Sequence, residues 1–162
     1  MGSPVKAFGH VIHPMLIPFP IGLLATAVVF DIVYLSTDRP GFAVAAAYMI
    51  GAGVIGGLLA APFGWWDWFQ IPSGTRAKNV GLIHGLGNIV VVVLFLVSWF
   101  LRAAQGWDPT AWALVCSFVA VALAVVTAWL GGELVERMGV SVDEGAGPDA
   151  PSSLSHRHAA AA

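Results

Sequence analysis

Four long apolar stretches constrain the fold of this chain more than any other feature. They cover about residues 14–36, 42–63, 80–101 and 112–130, and each reaches the roughly 20 apolar residues that a helix needs to cross a bilayer. Only helices and closed barrels satisfy their backbone groups inside lipid, and these stretches lack the alternation of barrel strands. The sequence therefore predicts an all-α fold, a four-transmembrane-helix bundle running up, down, up and down with both termini on the same side.

The composition supports the membrane assignment and excludes other classes of protein. Only 10% of the residues are charged and the mean hydropathy is +0.83, whereas a soluble domain carries about 25% charged residues. A soluble globular domain, a disordered chain and a nucleic-acid binder with a basic face are all excluded on this ground. The lipid bilayer is the expected partner. The single cysteine, Cys116, excludes an internal disulfide and a cysteine-based metal cluster within the chain.

The chain divides into a membrane domain, residues 1–140, and a polar tail, residues 141–162. The tail is rich in Gly, Pro, Ser, Ala, Asp and Glu, so it is predicted to be disordered. His156 and His158 fall in it and are interpreted as incidental. No internal repeat is evident. Five of the seven basic residues are expected on the side of the termini, which predicts that both termini lie in the cytoplasm.

Polar residues gather at one end of the predicted bundle. In an up-down-up-down arrangement, the starts of spans one and three lie level with the ends of spans two and four. The residues that this places at one membrane face are His10, His13, Asp67, His84, Asn88 and Glu133. Ionisable groups at membrane depth are costly and usually face the bundle interior or a wet cavity. This end is therefore the candidate functional site.

One interpretation of the site is a haem b held between two imidazoles. His13 and His84 begin parallel spans and are expected to face each other across the core, where they would be axial ligands. Asn88 lies one turn after His84 and would help to orient it. Lys6, Arg76 and Lys78 at the same end are candidate partners for the propionates. The corresponding function is a small redox or electron-transfer component.

Other interpretations of the same residues stay open. His13, Asp67, His84 and Glu133 offer the imidazole and carboxylate ligands that suit non-haem iron or zinc. The same groups could instead form a proton relay or a quinone site, or could only tie helix ends together by hydrogen bonds. In the last case the protein would be a non-enzymatic accessory or assembly subunit of a membrane complex. A redox membrane complex or a second copy of the chain are the candidate protein partners, and the residues do not decide whether the chain is an enzyme.

Asp31 lies late in span one and stands apart from this cluster. Its candidate partners are Arg102, at the end of span three, and Arg39, in the loop that follows span one. An ion-paired structural carboxylate is the favoured interpretation.

Several short motifs together resemble those of a bacterial integral-membrane family called domain of unknown function 2231. The motifs are His13-Pro14 with Phe19-Pro20, Gly64-x-x-Asp67, His84-x-x-x-Asn88 and Gly131-Gly132-Glu133. The resemblance covers roughly residues 10–140 and implies a multi-pass protein of a bacterial plasma membrane with four transmembrane helices. Some relatives are fused to Rieske iron–sulfur or cytochrome-type domains, which implies a redox neighbourhood. Pro18 stands where relatives often have a second histidine, so this chain lacks one potential ligand.

Overall fold

Helices make up most of the computed structural model, which describes residues 5–153. Their bounds are α1 Ile12–Leu16, α2 Pro18–Thr37, α3 Pro40–Gln70, α4 Arg76–Ala103 and α5 Ala111–Gly132, and α5 continues into one π-helical turn, Glu133–Arg137. Four helical segments are long and apolar enough to cross a membrane: Ile12–Thr37, Pro40–Gln70, Arg76–Ala103 and Ala111–Arg137. The predicted all-α fold with four spans is confirmed.

The helix ends follow local sequence signals. Asp38 ends α2 in the left-handed conformation, and Pro40 occupies the first turn of α3, where its missing N–H is not needed. The hydroxyl of Thr75 accepts a hydrogen bond from the backbone N–H of Lys78 at 3.1 Å, and Thr110 caps α5 in the same way. These threonines satisfy backbone donors that the first turn of a helix otherwise leaves unpaired.

The observed helices extend beyond the predicted apolar stretches. The predicted second span stops at residue 63, whereas α3 continues to Gln70 and has 31 residues. At a rise of 1.5 Å per residue it is about 46 Å long, more than the roughly 30 Å of a hydrocarbon core. Its last turns therefore leave the hydrocarbon layer, or the helix tilts. The prediction was short because Asp67 ended the apolar run, while the helix needs only backbone hydrogen bonds to continue.

The four long helices pack as two pairs, with α2 mainly against α3 and α4 mainly against α5. Their shared core contains Leu24, Ala27, Val28, Ala46, Ile50, Val54, Val91, Phe95 and Ala120. Small residues allow the helices to approach closely: a Cβ at Gly53 would lie 2.7 Å from two side-chain carbons of Leu24. Close backbone approach is the usual way in which helices associate in lipid.

The described chain ends lie together, at the end of the bundle where α1 begins. Lys6–Ala7 and His10–Val11 form a small antiparallel hairpin, and its turn residues Phe8 and Gly9 both have positive φ. Lys6 pairs with Asp143 and holds the pKa of that carboxyl below its ordinary value. The hydroxyl of Ser153 donates to the carbonyl of Phe8 at 3.3 Å. Disorder of residues 141–162 stays a prediction, and His156 and His158 lie outside the described residues.

Candidate functional site

His13 is fixed in position by the end of α3. Its Nδ1 lies 3.1 Å from the backbone carbonyl of Ala60. A carbonyl only accepts, so Nδ1 carries the proton and Nε2 is the unprotonated nitrogen of the neutral ring. The ring also occupies the space beside Gly64, where a Cβ would lie 2.7 Å from its Cε1. Any larger residue at position 64 would push the imidazole away.

His84 is held by α5 in the same manner. Its Nδ1 lies 2.8 Å from the backbone carbonyl of Thr127, and its Cε1 lies 3.1 Å from the position that a Cβ on Gly131 would take. Here Nε2 has a partner as well, because the amide of Asn88 approaches it at 3.2 Å. The NH₂ group of Asn88 also lies 2.9 Å from the backbone carbonyl of His84, which only accepts, so the amide is oriented with its NH₂ group toward Nε2 and its Oδ1 3.0 Å from the hydroxyl of Thr127.

The structure brings most of the predicted cluster to one end of the bundle. His13 lies within electrostatic range of both Asp67 and His84, and Asp67 is 8% exposed near the end of α3. Within residues 5–153, however, no three histidine, cysteine or acidic side chains form a group that could hold a metal ion. The four candidate metal ligands His13, Asp67, His84 and Glu133 are therefore not assembled into one centre.

The remaining residues of the predicted cluster have separate surroundings. Glu133 begins the π-helical turn and accepts from Arg76 at 3.0 Å. His10 is exposed in the terminal hairpin, where its Nδ1 lies 3.2 Å from the carbonyl of Phe8. Neither residue contacts the half-buried imidazoles of His13 and His84 in these interactions.

The basic residues at this end are already engaged with protein groups. The Lys78 ammonium donates to the carbonyl of Trp68 at 2.8 Å and lies 3.8 Å from the centre of its indole ring. The Trp68 indole N–H donates in turn to the carbonyl of Lys78 at 2.9 Å. Since Arg76 pairs with Glu133 and Lys6 with Asp143, a bound anion at this end would have to compete with these contacts.

A second polar cluster lies at the opposite end of the bundle. Asp31 and Arg102 are completely buried, and two parallel N–H···O bonds of 2.8 and 2.7 Å join them. The prediction of an ion-paired Asp31 is confirmed, with Arg102 as its partner and Arg39 exposed. The hydroxyl of Ser98 lies 3.2 Å from the guanidinium Nε and 2.8 Å from the hydroxyl of Ser117.

The sequence-based prediction missed the hydroxyl residues that complete both clusters. Ser98, Ser117 and Thr127 are at most 2% exposed, yet serine and threonine are common in apolar helices and attract no attention alone. One signal was available, because Ser98 precedes Arg102 by four positions and therefore lies on the same helix face. The carbonyl of Ala60 could not have been predicted, since a backbone acceptor leaves no mark in the sequence.

Comparison with known proteins agrees with the membrane assignment. The model of a family described as "Predicted membrane protein (DUF2231)" matches residues 9–144. No curated protein and no solved structure matches the chain.

Proposed function

The chain belongs to the DUF2231 family of predicted membrane proteins, and from this premise we propose that it binds haem b through His13 and His84 as a redox component of a bacterial plasma membrane. The proposal includes a cytoplasmic location for both termini and for the histidine end. The observation that carries it is the common anchoring of the two imidazoles. Each donates from Nδ1 to a backbone carbonyl of the facing helix.

This anchoring is the arrangement that ligating histidines generally have. A hydrogen bond from the second ring nitrogen fixes the tautomer, orients the ring and raises the basicity of the ligating nitrogen. Both histidines would ligate through Nε2, and both lie at the same end of the bundle. Haem would supply a one-electron redox centre when bound. Iron ligation needs only these two imidazoles, so it does not require the three-ligand group that a zinc or non-haem iron centre requires.

The two histidines differ in how readily they offer Nε2. His84 can do so only after Asn88 withdraws its amide, whereas the hydrogen bond between His13 and the carbonyl of Ala60 uses Nδ1 and does not involve Nε2. Asn88 would then keep a bond to the backbone carbonyl of His84, at 2.9 Å, and its bond from Thr127. The release therefore costs one neutral hydrogen bond, about 0.5–1.5 kcal/mol.

Visible spectroscopy tests the haem proposal directly. Protein purified in detergent and supplied with haem b is expected to have a Soret band, and His13→Ala or His84→Ala is expected to weaken haem binding. The loss should exceed the roughly 10–100-fold effect of removing an outer-shell partner, because a ligand itself is removed. His10→Ala is the matched control, since His10 is an exposed histidine at the same end. A wild-type protein that binds no haem would contradict the proposal.

A structural role as an accessory subunit is the second candidate function. It is favoured by the completeness of the polar contacts: among residues 5–153, no buried side-chain nitrogen or oxygen lacks a hydrogen-bond partner. A cluster that satisfies itself needs no ligand in order to be stable.

Stability measurements separate this candidate from haem binding. For an accessory subunit, His84→Ala is expected to lower the free energy of unfolding by about 1–3 kcal/mol, because it removes the hydrogen bonds that the imidazole makes with Thr127 and Asn88. The protein would be colourless, and added haem would not raise its melting temperature. His10→Ala should leave the melting temperature unchanged. A large increase in melting temperature on addition of haem would count against the accessory role.

A further inference from the structure

We infer that the bundle is a pair of equivalent helical hairpins related by an approximate two-fold axis, and that the opposite charges of Asp31 and Arg102 on that axis make each hairpin pair with the other hairpin of the chain rather than with a copy of itself. The first hairpin consists of α1, α2 and α3, and the second of α4, α5 and the π-helical turn. This pairing is independent of haem binding.

One shift along the sequence relates the first helices of the two hairpins. The shift is 71 positions, the separation of Asp31 from Arg102, and it also places His13 on His84. The same shift carries four of the buried residues of α2 onto buried residues of α4. In chain order, Pro20, Leu24, Ala27 and Asp31 correspond to Val91, Phe95, Ser98 and Arg102.

A second shift relates the second helices of the hairpins. It places Ala60, whose carbonyl anchors His13, on Thr127, whose carbonyl anchors His84. It also places Gly64, which lies beside the His13 ring, on Gly131, which lies beside the His84 ring. Every buried residue of α5 and its π-helical turn then has a buried counterpart in α3. In chain order, Ala46, Ile50, Gly53, Ala60 and Asp67 correspond to Ala113, Ser117, Ala120, Thr127 and Leu134.

The axis between the hairpins passes through the ion pair. Asp31 and Arg102 occupy equivalent positions and bond to each other, which equivalent residues do only where the two-fold axis lies between them. Leu24 and Phe95, also equivalent, belong to one core cluster. The two hairpins therefore present the same face to each other, as two subunits do in a symmetric dimer.

The charges on the axis make this surface selective. Two copies of the first hairpin would bring two aspartates together, and two copies of the second would bring two arginines together. Either pairing would place like charges in a fully buried site, which is a strong penalty against the wrong partner. Ser98 and Ser117 reinforce the choice by contacting the guanidinium, whereas their counterparts Ala27 and Ile50 carry no hydroxyl.

Charge exchange tests the equivalence of the two positions. Asp31→Arg and Arg102→Asp alone are each expected to abolish the folded monodisperse protein in detergent. The double variant Asp31→Arg/Arg102→Asp should recover most of the lost melting temperature, and adding Ala27→Ser should raise it further by supplying the hydroxyl that Ser98 gives Arg102. A double variant no more stable than the single variants would overturn the proposal.

Cross-linking gives an independent test that needs no change at the ion pair. Gly51 contacts Trp99, with the Nε1 of Trp99 2.9 Å from the position of an added Cβ. The second shift takes Gly51 to Phe118, and the first shift, applied in reverse, takes Trp99 to Val28. In a Cys116→Ala background, Val28→Cys/Phe118→Cys should therefore form a cross-link within one chain. The control Val29→Cys/Phe118→Cys should not, because Val29 is 54% exposed. Equal yields for the two pairs would contradict the two-fold relation.

Discussion

Replacing Arg102 with methionine is expected to lower the free energy of unfolding by about 3–5 kcal/mol, because it leaves the fully buried carboxylate of Asp31 without its partner. The pair is bidentate and neither side chain has any exposed area. Water cannot replace the guanidinium at such a site, and an unpaired charge inside a membrane bundle is expensive. Thermal unfolding in detergent, followed by tryptophan fluorescence, measures the loss.

Two further variants show whether the loss arises from the unpaired charge. Arg39→Met is the matched control, since Arg39 is exposed at the same end of the bundle, and it should leave stability nearly unchanged. Asp31→Leu/Arg102→Met removes both charges and should be far more stable than Arg102→Met alone, as replaced buried ion pairs often are. If the double variant is as unstable as the single one, lost packing rather than the unpaired carboxylate is the cause.

Gly53→Val is expected to lower the free energy of unfolding by about 1–3 kcal/mol, the usual cost of overpacking a core. Gly53 is buried in α3, and a Cβ there would lie 2.7 Å from both Cγ and Cδ2 of Leu24. Two methyl groups would have to fit beyond that Cβ, so α2 and α3 would be forced apart where Leu24 packs against Gly53. The melting temperature in detergent measures this loss.

Gly22→Val is the control for the glycine substitution. Gly22 lies in α2 and has no heavy atom within 4 Å of an added Cβ, so valine fits there without displacing a neighbour. Its melting temperature should remain close to that of the wild type. A similar loss at both positions would indicate that helix propensity, and not the contact with Leu24, determines the effect.

The sequence predicts the number of helices and the end at which polar groups gather, because both depend on where apolar runs start and stop. It predicts Asp31 as an ion-paired residue with Arg102 as one of two candidates, since charges within spans are so few. It does not predict that α3 continues through Asp67 to Gln70, because the extension depends on backbone hydrogen bonds outside the apolar layer. The anchoring of His13 by a backbone carbonyl cannot be predicted either, because a backbone acceptor leaves no mark in the sequence.

The repeat escapes sequence inspection because only the inward-facing positions carry it. His13 matches His84 and Gly64 matches Gly131, but Leu24 corresponds to Phe95 and Ile50 to Ser117. Lipid-facing positions need only be apolar, so they obscure any identity between the halves. The repeat also needs two different shifts, since the helices of the first hairpin run further toward their loop than those of the second, and no single alignment without gaps would reveal it.

The ion pair between Asp31 and Arg102 also has a consequence for synthesis of the protein. The two residues are 71 positions apart in the chain, so a ribosome adding about 5–20 residues per second makes Arg102 about 4–14 s after Asp31. During that interval the nascent first hairpin carries a carboxylate that has no arginine to neutralise it. Such a group is costly within lipid, and the cost is removed only when Arg102 is inserted beside it. The first hairpin therefore reaches its full stability in the membrane only after the second half of the chain has been made.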